Sequence, residues 1–117
     1  MQYLVIGSGG PGFSSAGEAS EILENLVIPT FEQIIRLEMD KRILAGGLPV
    51  GERALVFIIK AETNGELDEL LRSLPMWGVL EWAVTPLQTF ECRRAVERSF
   101  IQDLGRKPGR RKKQRTK

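Results

Sequence analysis

Leu70-Leu71-Arg72-Ser73-Leu74-Pro75-Met76-Trp77-Gly78-Val79-Leu80-Glu81-Trp82-Ala83-Val84-Thr85-Pro86-Leu87 is the stretch whose reading decides the fold. Its first residues end a helix at Pro75, which lacks an amide proton and crowds the turn before it. From Val79 to Thr85 the side chains alternate. Leu80, Trp82 and Val84 fall on one side, and Val79, Glu81, Ala83 and Thr85 on the other, which is the period of a strand. A helix, a corner and a strand need partners, and the rest of the chain can be laid out as those partners.

Upstream, Thr63-Asn64-Gly65-Glu66 opens the helix with a capping box, the threonine accepting from the first turn and the glutamate reaching back. Before it, Ala54 to Lys60 reads as a strand that is apolar on both faces through Leu55-Val56-Phe57-Ile58-Ile59, so both faces are buried. Ile43 to Leu48 is a weaker strand, bulged at Gly46 and Gly47. From about Glu18, residues Ile22, Leu23, Leu26, Val27, Phe31, Ile34, Ile35 and Met39 recur at helical spacing. Pro29 should kink or divide that helix. Tyr3 to Ile6 is a short strand ended by the loop Gly7-Ser8-Gly9-Gly10-Pro11-Gly12. Downstream, Leu87 to Leu104 reads as a C-terminal helix that stops near Gly105.

The order is β-α-β-β-α-β plus a terminal helix. Right-handed crossovers make it an α+β fold, a ferredoxin-like four-stranded antiparallel sheet with both main helices on one face. The other face is then bare and apolar, which is not expected of a soluble monomer. A homodimer, sheet against sheet, is the expected minimal unit.

Composition bounds the function. The 117 residues fit one domain, expected over residues 1–104, and no apolar run approaches the roughly 20 residues needed to span a bilayer. Met1 to Ile6 carries no basic n-region, so a secretory signal is not expected. Cys92 is the single cysteine; it excludes a disulfide framework within the chain, fits a reducing cytoplasm, and is expected to pack rather than attack. There is no histidine, which removes the commonest general base, zinc ligand and haem ligand together. The net charge of +2 hides an asymmetry: residues 106–117 hold eight Lys or Arg and no acid, whereas the remainder holds nine basic and fifteen acidic residues. Residues 105–117 are expected to be a disordered basic tail. Without interleaved aromatics such a tail would attach to a polyanion, nucleic acid or acidic protein, in a sequence-blind and salt-sensitive way. It lacks the apolar half of a membrane anchor.

Glu69 to Trp77 and Glu81 to Leu87 together resemble the corresponding region of muconolactone isomerases and their relatives among dimeric α/β-barrel proteins. Those chains have a helix ending in Leu-Pro, an aromatic corner, and an acid-bearing strand closing on a leucine. The glycine-broken second strand and the Val56-Phe57 strand are similar in placement, and the resemblance covers roughly residues 1–90. It implies a dimeric α/β barrel with a small-molecule cavity in each subunit, rings of dimers in some relatives, and cofactor-free proton transfer on an unsaturated lactone. The absent histidine, glycine-rich first loop and basic tail are departures; the first disfavours histidine-dependent haem-degrading relatives.

Gly7-x-Gly9-x-x-Gly12 after a strand matches the dinucleotide fingerprint, with Glu32 about 20 residues on. A true unit needs a helix opening at the third glycine and a parallel strand near residues 26–32. That segment instead contains Pro29 within a helical period, so a loop at a cavity mouth is the better reading. Four residues are candidates for chemistry: Glu81, Glu32, Tyr3 and Arg53. Glu81 sits in an otherwise apolar strand and must find a partner, stay neutral or face solvent; Arg53 or Lys60 could pair with it. Buried in a cavity it would suit acid–base work, and at a barrel rim it would be an interface salt bridge. Glu32 and Arg36 are four apart on a helix, so they form either a surface ion pair or a guanidinium-held base. Tyr3 could orient a ligand oxygen or pack its ring. Trp77 and Trp82 are expected to pack. The expected protein is a cytoplasmic, metal-free and cofactor-free enzyme or binding protein acting on a small cyclic or oxygenated compound. The alternative is a dimeric scaffold whose tail binds a polyanion.

Overall fold

A computed structural model describes residues 1–106. The expected disordered tail lies, apart from Gly105 and Arg106, outside the described residues. The chain divides into two compact units, Met1–Leu87 and the segment from Gln88 onward.

The first unit is a four-stranded antiparallel sheet with helices packed on one face. Its elements are β1 (Gln2–Ser8), α1 (Ala16–Ile22), α2 (Ile28–Met39), β2 (Ile43–Gly47), β3 (Leu55–Lys60), α3 (Asn64–Arg72) and β4 (Glu81–Leu87). The spatial order is β2-β3-β1-β4, the ferredoxin-like order, and every pairing is antiparallel. That arrangement rules out a parallel dinucleotide-binding unit at the glycine loop, and the helix after it opens only at Ala16.

Alternation along the strands sorts the two faces. Tyr3, Val5, Leu55, Phe57 and Ile59 are buried with Leu67 and Leu71 of α3, and Val27, Ile34 and Leu37 pack against the same core. On the opposite face Leu4, Ile6, Val56 and Ile58 are half-buried, and Ala83 and Thr85 of the neighbouring strand are exposed.

Around Pro29 the helical run continues from Ala16 to Met39 but changes geometry just before the proline. Leu23–Val27 forms a π-helical turn between α1 and α2, and the Ile28 amide donates to the carbonyl of Leu23 five residues back. The wider turn accommodates a ring at the start of α2, where a missing N–H does least harm. The β2 bulge falls between Ile43 and Ala45, just before the glycines. Gly46 itself lets β3 approach closely, because a Cβ there would lie 2.5 Å from the Val56 carbonyl oxygen. Strand four begins two residues later than its alternation suggested, after a short 3-10 turn at Trp77–Val79, and runs on through Pro86. β4 is an edge strand, where proline is tolerated.

Both first turns are capped alike. The Thr63 hydroxyl accepts from the Glu66 amide at 3.0 Å, and Glu66 Oε1 accepts from the Glu62 amide at 2.6 Å. At α1, Ser15 accepts from the Glu18 amide at 3.1 Å, and Glu18 Oε1 accepts from the Ser14 amide at 2.6 Å. Each glutamate reaches one residue beyond the cap, so two amides per helix start are satisfied.

The second unit contains α4 (Phe90–Leu104), capped by Thr89, whose hydroxyl accepts from the Cys92 amide at 3.0 Å. Arg93 pairs with Glu97 at 2.7 Å on an exposed face. Cys92 is exposed rather than packed, with its sulfur 3.5 Å from the Gln88 side-chain nitrogen, because it lies in the polar first turn of this helix.

Candidate functional site

A cavity of about 180 Å³ opens between the helical arm and one end of the sheet. Leu23, Val27 and Phe31 line it from the arm, and Leu55, Met76 and Leu80 from the sheet and the corner after α3. The glycine loop closes one side through Gly10, Pro11 and Phe13. Arg53 is the only charged residue among the described residues of the wall.

Two contacts fasten the loop to Arg53. The Gly10 amide donates to the Arg53 carbonyl at 2.9 Å. A Cβ at Gly10 would sit 2.9 Å from that same oxygen, so only glycine permits the approach. The guanidinium lies against Gly12, where an added Cβ would meet Nη1 at 3.6 Å. Arg53 is exposed and makes no ion pair among the described residues, so its charge is free for a ligand. A second, polar hollow lined by Ser8, Gly9, Gly10 and Glu52 shares Arg53 with the apolar cavity. Arg53 therefore stands at a boundary between a carbon-lined space and a wet one, with its guanidinium against Gly12.

The other sequence candidates are placed apart. Glu81 is exposed at the start of β4 and pairs in register with Ser8. It shares the Arg53 end of the sheet, since Gly7 pairs with both Leu55 and Trp82. Lys60 pairs with Gln2 at the far end and cannot reach Glu81. Tyr3 also lies toward that far end, is 2% exposed, and donates its hydroxyl proton to Asn64 Oδ1 at 2.5 Å. Glu32 and Arg36 are both exposed on α2, outside the cavity wall and without an ion pair between them.

Trp82 lies over Gly7, where a Cβ would come within 2.9 Å of its ring, and donates its indole proton to the Trp77 carbonyl at 2.9 Å. The Arg72 guanidinium sits 4.6 Å from the Trp77 ring centroid. These two tryptophans brace the corner and do not line the cavity. Sequence reasoning missed Phe31, Leu48 and Met76 as cavity residues. Helical spacing marked Phe31 as apolar, but only the bulged β2 and the corner leave space in front of it. Among the described residues no cluster of His, Cys, Asp or Glu could hold a metal ion, and no helix is long and apolar enough to cross a membrane.

The sequence profile of the muconolactone delta-isomerase family matches residues 20–92, more than half of the chain. The chain belongs to that family. Muconolactone isomerase itself, in a crystal structure, superposes with a TM-score of 0.63 at 18% identity, covering 76% of this chain and 90% of that one. A second member of this fold is the 5-chloro-2-hydroxyhydroquinone dehydrochlorinase of Burkholderia phenoliruptrix, solved with 2,5-dihydroxybenzoquinone. It superposes with a TM-score of 0.56 at 17% identity, covering 78% of this chain and 97% of that one. No curated protein matches by sequence. The muconolactone delta-isomerase match spans the long helical arm, β2, β3, α3 and β4, and so includes Arg53 and most of the cavity wall.

Proposed function

We propose that this chain is a small-molecule enzyme of the muconolactone isomerase-like type. It moves a proton on a small cyclic or oxygenated compound, without metal or organic cofactor. The observation that carries the reading is Arg53, without an ion pair among the described residues, in the wall of a carbon-lined cavity. Removing a proton beside a carbonyl puts negative charge on oxygen, and a fixed cation where that charge develops lowers the barrier. The apolar wall strengthens the effect by excluding water. Glu81 is at the same end of the sheet but on the face it shares with Ala83 and Thr85, opposite the cavity wall. On this reading it belongs to the rim of the joined sheets and not to the cavity. Tyr3 and Glu32 take no part in the chemistry on this reading. The oxygenated six-membered ring bound by the dehydrochlorinase is a compound of the proposed kind.

The working unit on this reading is a homodimer that covers Leu4, Ile6, Val56 and Ile58 and brings Glu81 to the edge of the joined sheets. The test is deuterium incorporation from D2O into a panel of lactones, enones and dihydroxylated rings, followed by NMR. Exchange of at least one compound above the buffer rate is expected. No exchange across the panel removes the enzymatic reading. The charge run from Arg106 onward supports a second reading, a scaffold that binds a polyanion through its tail. Truncation after Leu104 separates the two: the scaffold loses its partner, whereas the enzyme keeps its turnover.

A further inference from the structure

Two apolar chambers lie in line along α2. The second, of about 220 Å³, continues from the Arg53 cavity between α2 and the strands β2 and β3. Phe31, Leu48 and Leu55 belong to the walls of both, so a single partition divides and joins them. The linings follow the helix, with Val27 and Phe31 facing the first chamber and Phe31, Ile34, Ile35 and Glu38 the second. Charge is confined to the two ends. Arg53 is the only charged residue among the described lining of the first chamber, and Glu38 the only one of the second.

We propose that the two chambers form one elongated site for an amphiphilic monocarboxylate, with its head on Arg53 and its aliphatic arm running past Phe31 to Ile35. The inference rests on the reading of the Arg53 cavity as the ligand site, and it gives the proposed substrate class an apolar arm. Charge fixes the orientation, because a carboxylate is attracted by Arg53 and repelled by Glu38. The second chamber offers a ligand almost nothing but carbon, so what enters it must be apolar. Each chamber alone is smaller than the roughly 300 Å³ at which sites for larger ligands begin; joined across Phe31 they enter that range.

The test is calorimetric titration of the full chain with straight-chain carboxylates from butanoate to dodecanoate. Affinity should rise about fourfold per methylene once the first chamber is filled. Arg53→Gln should weaken every member of the series. Ile35, which is 51% exposed and lines only the second chamber, can be changed without touching the first. Ile35→Trp should therefore flatten the gain of the long members and leave the short ones unchanged. Ile34→Trp, at another residue that lines only the second chamber, should do the same if Ile35→Trp folds poorly. A dicarboxylate of matching length should bind more weakly than the monocarboxylate, and Glu38→Gln should narrow that difference. Affinity that is flat with length, or a length dependence untouched by both tryptophan variants, overturns the proposal. So does a fatty acid that only shifts the association state in light scattering. If deuterium exchange on short compounds persists while the length dependence is absent, the elongated site falls and the proposed function stands.

Discussion

The hydroxyl of Thr30 accepts the backbone amide of Met76 at 3.0 Å, and Thr30 is fully buried at 0% exposure. This bond ties the first turn of α2 to the corner that follows Pro75, and the cavity wall is built from both. A buried amide without an acceptor costs about 1–3 kcal/mol. Thr30→Val should lower unfolding free energy by that amount in urea titration, with the slope unchanged. Equal midpoints for the two proteins would contradict the role given to this bond.

Gly46 and Gly47 stand side by side yet differ in what they tolerate. Gly46 has φ 156°, and an added Cβ would press on the Val56 carbonyl at 2.5 Å and on Phe57 at 2.7 Å. At Gly47 nothing lies within 4 Å. Gly46→Ala should cost about 1–3 kcal/mol and Gly47→Ala less than about 0.5 kcal/mol, read from thermal or chemical unfolding. Similar losses at both would mean that β2 does not hug β3 as described.

Two donors from Ser14, its amide first and its hydroxyl second, hold the Glu18 carboxyl below its ordinary value. The folded value is depressed, so the stabilisation is present above the unfolded carboxylate value and is lost as pH falls through the folded one. An NMR titration should place Glu18 below the ordinary carboxylate range. Ser14→Ala, which removes only the hydroxyl donor, should return it part of the way. A Glu18 that titrates at the ordinary carboxylate value would be the contrary result.

Leu4 and Ile58 face each other across β1 and β3 on the side of the sheet that the core does not use. Ile58→Lys should leave that core intact and split the proposed dimer, halving the mass seen by light scattering at micromolar concentration. A wild-type protein already monomeric at that concentration would remove the dimer from the account.

The sheet and helices were legible because their signals are local and periodic. Alternation around Trp82 and the two-faced run from Leu55 to Ile59 gave strands that the structure shows in ferredoxin-like order. Pro29 was harder to read. A proline inside a helical period predicts a break, and whether a π turn absorbs it depends on packing that one segment cannot reveal. Cys92 misled because a lone thiol reads as packing, whereas it lies exposed in the first turn of α4. For the site, Arg53 and the glycine loop were legible as a charge and a breaker cluster. Their meeting through the Gly10 amide is a tertiary fact. The empty space before Phe31 is the least legible feature, because a cavity is set by what the surrounding residues leave unfilled.

Arg53→Gln tests the account most directly. It keeps the backbone carbonyl that holds Gly10 and removes only the charge at the cavity edge. With a compound that the wild type exchanges, the rate of deuterium incorporation should fall by about 100-fold while the unfolding midpoint stays in place. An unchanged rate in a folded Arg53→Gln protein would show that the chemistry happens elsewhere.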